Sequence, residues 1–419
     1  MTTEPRFLQI HTLTPYAGAL LNRDDVGLAK RLPFGGAERI RVSSQCLKRH
    51  WRNAVDEWSM KGLECNAVRS REIFTRMIAP ELARDGFPPA RIVTVLEALQ
   101  ALLLGKSAKA EKAEKADKAD KAKKDKDKEK AEGEAPAKDP YASLKTDQVI
   151  VLGHPEITFI TTAARELLRE ATSDKDAAKG VEAYIKANKG NLEAMKRAAG
   201  LDAALFGRMV TSDILARGDA AVHVAHAFTV HAGEREPDYF TAVDDLIQAA
   251  GELGSGHINQ SELTSGLFYG YAVVDVPLLV SNLEGCKREA WRSADRTLTA
   301  KVIEHLIHLI ATVSPGAKLG STAPYAYAEL VLVEAGTRQP RSLANAFLKP
   351  VPLSERGDLR GAAVGALAEH LARFDAMYGK REERRIAALD GAAGIPVDAA
   401  GDLDTVAAWA AGLLGGGQP

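Results

Sequence analysis

Cysteine is scarce. Three residues, Cys46, Cys65 and Cys286, are spread over 419 positions. They lack zinc-ligand spacing, and an odd, sparse count fits a reducing cytoplasm. The opening MTTEPRFLQIH has no basic segment leading into an apolar one, so no signal peptide is expected. No apolar run approaches the length that spans a bilayer. Neither sign of charge is in excess: 55 Lys and Arg face 56 Asp and Glu, for a net charge of −1 and a pI near 6.8. That excludes a protein basic all over but leaves room for a local basic groove. GxGxxG and P-loop patterns are also missing. What remains is an ordinary soluble composition, 46% hydrophobic and 26% charged, in a chain long enough for a large core or two to three lobes.

Against that neutral background one stretch stands out, LNRDDVGLAKRLPFGGAERIRVSSQCLKRHWR at 21–52. Its cations are Arg23, Lys30, Arg31, Arg39, Arg41, Lys48, Arg49 and Arg52, and its anions Asp24, Asp25 and Glu38, a local net of +5. Charge concentrated this way suggests an anion site on a neutral body. Gly35-Gly36 marks a turn. Ile40 and Val42 alternate with Arg39 and Arg41, as in a short strand edge with cations on one face. Ser43-Ser44 suits a helix N-cap, and Leu47, Trp51, Val55 and Trp58 predict a helix over 45–58. A helix start offers N–H groups and positive dipole to a phosphate. Ser43, Gln45, Lys48 and Arg49 add donors beside it. The same pattern also fits a solvated basic helix after a hairpin.

The rest of the chain mixes strands and helices. Alternation at 7–13 predicts a first strand, with Leu8, Ile10 and Thr12 on one face and Gln9 and His11 on the other. The pattern is helical over 68–104, interrupted by GFPP at 86–89. Segment 106–139 is a Lys/Ala/Glu/Asp repeat, near-neutral and almost free of large apolar residues, so it cannot join a core. A short strand at 149–153 precedes helices at 156–172, 177–188 and 192–199. AALFGRMVTS at 203–212 places Gly207 before Arg208, where a bare backbone allows close approach, and Met209 fits a core. HVAHAFTVH at 223–231 reads as a strand; its three histidines lack a carboxylate or Cys at ligand spacing, so no metal is assigned. Segment 234–264 is long, polar and Gly-rich, as functional connections are. Asp244-Asp245 within it is the one acidic pair that suggests metal-dependent cleavage.

SGLFYGYAVVDV at 265–276 is an aromatic strand with a partial likeness to the RNA-stacking strand of RRM domains. Its glycines and aromatics are out of register, and Phe268 and Tyr269 fit a core equally. An amphipathic helix at 297–313 runs into SPGAK, with Gly316 as its stop and Lys318 beyond. A strand is expected at 325–333. Helices are expected at 359–378 and 403–414, divided by a Gly/Ala/Pro linker. Strands and helices do not follow a βα repeat, which favours an α+β fold.

LNRDD, FGG and the run RIRVSSQCLKR together resemble the N-terminal signature of the CasC (Cse-type) family, the guide-RNA-binding backbone of the type I-E CRISPR Cascade complex. GRMVTS at 207–212, AHAFTVH at 225–231, PGAK at 315–318 and SLANAF at 342–347 are similar to later segments of that family. The resemblance covers nearly all of the chain except 106–139. It implies a right-hand fold: an RRM-like (ferredoxin-like) antiparallel palm from 1–60, 201–233 and 265–350, helical fingers from 61–200, a projecting thumb from 234–264, and C-terminal helices from 351–419. It implies binding without catalysis or cofactor, by copies arranged head to tail on a crRNA that pairs with target DNA, beside other Cascade subunits. The residues it points to for RNA contact are Arg23, Lys30, Ser43, Gln45, Lys48, Arg49, Met209, which would pack against a kinked base, and Lys318. Two rivals stay open: a metal-dependent ribonuclease using Asp244 or Asp245, and a single-strand RNA-binding protein of RRM type that does not polymerise.

Overall fold

The structure, a computed structural model, describes residues 4–63, 67–104, 139–170, 174–188, 200–208, 219–243, 255–353, 357–391 and 394–415, with backbone alone at 174–179, 239–243 and 255–261. The chain forms two compact units. The first takes Met1–Gly62, Val222–Leu279 and Asp295–Pro419; the second takes Leu63–Ala221 and Val280–Ala294.

The strands are β1 (Phe7–Ala19), β2 (Arg31–Phe34), β3 (Ala37–Val42), β4 (Ala67–Ser70), β5 (Ile150–Gly153), β6 (Val222–Val224), β7 (Ala227–Thr229), β8 (Glu236–Val243), β9 (Ser255–Asp275), β10 (Leu330–Gly336), β11 (Glu383–Ala388) and β12 (Ala399–Ala400). The helices are α1 (Ser44–Asn53), α2 (Ala79–Arg84), α3 (Pro89–Leu104), α4 (His154–Glu170), α5 (Asp174–Ala187), α6 (Gly200–Phe206), α7 (Val276–Glu284), α8 (Thr297–Thr312), α9 (Leu319–Thr322), α10 (Leu359–Tyr378) and α11 (Leu403–Gly412). The class is α+β.

The first unit is built on one sheet in the order β12-β11-β10-β1-β9-β7-β3-β2, with β6 and β8 also paired to β9. Its pairs are antiparallel except β11 with β12. β1 and β9 lie at its centre and are covered on both faces, so β1 is buried without a break from Leu8 to Leu13. One face carries Leu13, Leu267, Tyr269, Leu332 and Ile386 under α10 and the 343–351 segment. The other carries Thr12, Thr14, Phe268 and Gly270 against Leu47 and Trp51 of α1 and Ile310 of α8. Phe268 and Tyr269 are 2% and 1% exposed, so these two aromatics of the 265–276 strand are core, while Tyr271 is half-buried. Its glycines have the same cause. A Cβ on Gly270 would meet Thr12 Oγ1 at 2.4 Å, and one on Gly266 would meet His231 Nε2 at 2.7 Å.

The second unit packs α2, α3, α4 and α5 around Phe74, Ile92, Leu96, Leu99, Ile160 and Val181, beside the β4–β5 pair. Here 67–70 is a strand rather than the start of a helical region, because it pairs with the apolar Ile150–Gly153. Gly207 takes φ +81 and ends α6 as a left-handed stop, donating to Ala203 O at 2.9 Å. Arg208 is buried, and its guanidinium donates to both oxygens of Glu156 at 2.8 and 2.7 Å. The helix expected at 192–199 and most of 106–139 lie outside the described residues.

Other boundaries moved for identifiable reasons. The helix expected at 45–58 stops at Asn53, where Asp56 forms its own turn by accepting from Trp58 N at 3.1 Å. Val55 is then 86% exposed, while Trp58 stacks on His308 at 3.5 Å. α8 ends at Thr312, before Gly316. That glycine instead accommodates Leu319 and Pro324, which a Cβ would meet at 2.5 and 2.7 Å. β10 starts at Leu330, past Tyr325 and Tyr327, whose alternation is not a strand's. The linker between the last two helices contains β11 and β12, which extend the sheet beyond β10. The 234–264 segment is a β-hairpin of β8 on the first part of β9, with 244–254 outside the described residues.

Candidate nucleic-acid interface

The site lies in the first unit. Gly35 and Gly36, at φ +62 and +78, close the β2–β3 hairpin. A Cβ on Gly35 would lie 1.5 Å from Leu348 O, so the turn is set against the 344–348 segment. β3 then leads to Ser43, whose hydroxyl accepts from Cys46 N at 3.4 Å and caps α1.

On the other side, 22–30 forms a closed loop. Arg23 bridges Ala29, Lys30 N donates to Asn22 O at 3.0 Å, and Asp24 Oδ1 accepts from Val26 N and Leu28 N at 3.0 and 2.8 Å. Asn22 Oδ1 accepts from Ser43 N at 2.9 Å, fixing this loop to the start of α1. Beneath them Ala19, Leu20, Leu21, Ala29, Ile40, Val42, Ala227 and Phe268 form one apolar cluster, with Cys46, Leu47 and Ala317 packed on it. Ala317 N donates to Leu20 O at 2.8 Å, which brings the Pro315–Lys318 turn to the same cluster.

The structure sorts the eight cations of 21–52. Arg39 is fully buried and donates to the carbonyls of Phe34, Thr229 and Phe347 at 3.3, 2.9 and 2.8 Å. The expectation that Arg39 and Arg41 share a cationic strand face therefore fails at Arg39, because three inward-facing carbonyls need a donor there. Arg31 is drawn to Glu262 at 2.5 Å. Arg41 donates to Arg31 O at 3.0 Å and lies 3.3 Å from His226 Nδ1, neither of which brings negative charge.

Arg23, Gln45 and Arg49 are exposed, and Lys30, Lys48, Arg52 and Lys318 are half-buried. Gln45, Lys48, Arg49 and Arg52 share one face of α1 by their spacing. Arg52 Nε donates to Lys48 O at 3.2 Å. Burial raises the Cys46 thiol pKa while Lys30 and Arg49 pull it down, so a loop cation and a helix cation act on one thiol.

Two of the first three N–H groups of α1 are already taken: Ser44 N by His226 Nδ1 at 3.2 Å, and Cys46 N by Ser43. Side chains, rather than the helix start, are thus the main donors this face offers an anion. Burial first, then Arg41 and Lys30, lowers the His226 pKa, which keeps its Nδ1 an acceptor. The other histidines of 223–231 diverge. His231 Nδ1 lies 2.7 Å from Ala232 O and its Nε2 accepts from Leu267 N at 3.2 Å. Among the described residues no three His, Cys, Asp or Glu converge as metal ligands.

Of the sequence-derived candidates, Arg23, Lys30, Ser43, Gln45, Lys48, Arg49 and the Lys318 turn are thus brought around one cluster. Ser43 is buried and acts as the cap. Met209, Asp244 and Asp245 lie outside the described residues. Asn22, Asp24 and His226, which hold the site together, were not singled out from sequence. Asn22 stands within LNRDD, but its partner is 21 residues away and no periodicity marks it.

A family model described as CT1975-like protein matches residues 8–409. A chain from a solved "CRISPR RNA-guided surveillance complex, pre-nicking" is similar, with TM-score 0.71 and 26% identity, over 96% of this chain and 100% of that one. A chain from a second "CRISPR RNA-guided surveillance complex" has TM-score 0.61 and 22% identity, over 96% and 99%. No curated protein matches the chain.

Proposed function

We propose, from the premise that this chain belongs to the CT1975-like (Cas) family, that it is a guide-RNA-binding subunit of a CRISPR RNA-guided surveillance complex. The observation that carries the reading is the convergence of the 22–30 loop, the Gln45/Lys48/Arg49 face and the Lys318 turn on one apolar cluster. Cations set this way grip phosphates without reading sequence. Base pairing of the guide with target DNA then supplies specificity, and the protein recognises shape.

The finer reading is a type I-E Cascade backbone. Copies line up head to tail along the crRNA, a heterologous contact that does not close. In this reading the large sheet serves as the palm, the second unit as fingers, and the β8–β9 hairpin as the thumb. Met209 and the thumb interrupt the guide at intervals. The subunit performs no chemistry and works in the cytoplasm beside other Cascade subunits.

The test is the mass of the protein with guide RNA of several lengths and the partner subunits, with and without magnesium. Mass rising in protein-sized steps with RNA length, and RNA left intact, is the expected result. One protein per RNA at every length would overturn polymerisation. Magnesium-dependent cutting, lost in Asp245→Ala, would overturn the non-catalytic reading.

A further inference from the structure

Between α8 and β10 the chain makes a closely tied excursion. Ser314 Oγ donates to Ala326 O at 2.7 Å and accepts from Ala326 N at 2.9 Å, and Ala328 N donates to Ala311 O at 2.7 Å. Within it Ala323 takes φ +38, the one positive φ on a non-glycine among the described residues. Tyr325 N donates back to Ala323 O at 2.7 Å. A left-handed alanine is unfavourable and persists only where its surroundings impose it; such strain gathers at binding sites.

The same ties leave two rings in solvent: Tyr325 is 76% exposed and Tyr327 69%. Tyr325 lines an open cleft with Pro15, Ala17, Leu267 and Pro324. Two large aromatics displayed by a pinned backbone contribute little to this unit's own core, so their use lies in what they meet. Their position indicates the partner. One helical turn, α9, joins Lys318 to Ala323; Thr322 Oγ1 donates to Lys318 O at 2.7 Å and Ala323 N to Leu319 O at 3.0 Å. The rings therefore continue from the basic face through a rigid step.

We propose that Tyr325 and Tyr327 form a base-stacking platform for single-stranded RNA, extending the face of Lys48, Arg49 and Lys318. The proposal rests on the RNA-binding reading above. Cations hold the backbone of a strand, and exposed rings take its bases. Every base has a π face, so stacking tolerates any guide sequence. A tyrosine offers that face while its hydroxyl stays solvated.

The test uses the full chain with labelled oligouridylate and an equally long oligomer of abasic ribose phosphate. Tyr325→Leu with Tyr327→Leu keeps apolar surface but removes both rings. We expect a loss of about five- to a hundredfold in oligouridylate affinity per stacked base, an unchanged salt slope, and full binding by the Tyr→Phe pair. The abasic oligomer should not distinguish wild type from the leucine pair. In the wild-type chain, 5-iodouridine RNA should cross-link to Tyr325 or Tyr327. Equal oligouridylate affinity in the leucine pair, or no adduct at either ring, overturns the platform. So does a leucine pair that changes only self-association, since the rings would then meet another copy. A wild-type chain that binds neither oligomer sinks the RNA-binding reading itself. A chain whose binding depends on Lys48 and Arg49 but not on the rings sinks this proposal alone.

Discussion

Asn22 Oδ1 accepts a hydrogen bond from the backbone N–H of Ser43 at 2.9 Å, and that bond joins the two halves of the basic face. Ser43 is 6% exposed, so its N–H has little water to turn to. Asn22→Ala is expected to cost about 1–3 kcal/mol, as a buried donor left unpaired does. It should also weaken RNA binding by releasing Lys30 from the vicinity of α1. Urea unfolding and a binding titration on one preparation check both. Wild-type stability would show that the bond does not hold the loop.

Lys48 and Arg49 stand next to each other on α1, with Arg49 exposed. The double variant Lys48→Ala, Arg49→Ala should bind guide RNA more weakly and lower the slope of log affinity against log salt by about two, one for each lost phosphate contact. An unchanged slope would remove this pair from the contact surface.

Arg39 has the opposite character. Its guanidinium is buried against three carbonyls, so Arg39→Met should lose at least about 3 kcal/mol of stability as those acceptors go unmet. Where the variant still folds, its salt slope should match wild type. A reduced slope with intact stability would mean that Arg39 reaches the RNA.

Acid should loosen the first unit in two stages. Burial holds His11 below its ordinary imidazole value; its Nδ1 lies 2.9 Å from the Tyr269 hydroxyl and its Nε2 3.0 Å from Glu334. Burial alone would raise the Glu334 carboxyl, but bonds from Arg341 at 2.5 and 2.8 Å and from His11 hold it far below the usual carboxylate range. Both groups bind protons less readily folded than unfolded, so each contributes stability at higher pH and loses it as pH falls. His11 and His226 act below about pH 6.5, and Glu334 below about pH 4.3. Urea midpoints measured from pH 8 down to pH 3 should fall across both windows. Glu334→Gln should shrink the lower stage and cost about 3–5 kcal/mol by depriving Arg341 of its carboxylate and leaving Arg384 to Asp375 and Glu382. A flat profile would contradict the network.

Segment 106–139 carries too little apolar surface to join a core. Replacing it with a short Gly/Ser linker should leave folding and assembly on the guide unchanged, by circular dichroism and mass. Loss of assembly would give the segment a role its composition does not suggest.

Local chemistry determined several features. The Gly35-Gly36 turn needs positive φ at both positions and so shows in the sequence. Ser43 as N-cap, the first turns of α1 and both ends of α10, Leu359 and Tyr378, follow from capping and periodicity over neighbouring residues. The concentration of charge in 21–52 is likewise a local property of the sequence. Only the tertiary structure decided which of those cations face outward. Arg39 and Arg41 alternate identically in sequence, yet carbonyls of Phe34, Thr229 and Phe347 claim one of them, and two of these lie about 190 and 310 positions away. Asn22 with Ser43, Ser44 with His226, and Ala317 with Leu20 are likewise long-range pairs that no local pattern encodes. Periodicity reports which side of an element is apolar. What covers that side, and which polar groups it must satisfy, is settled only when distant strands close into one sheet.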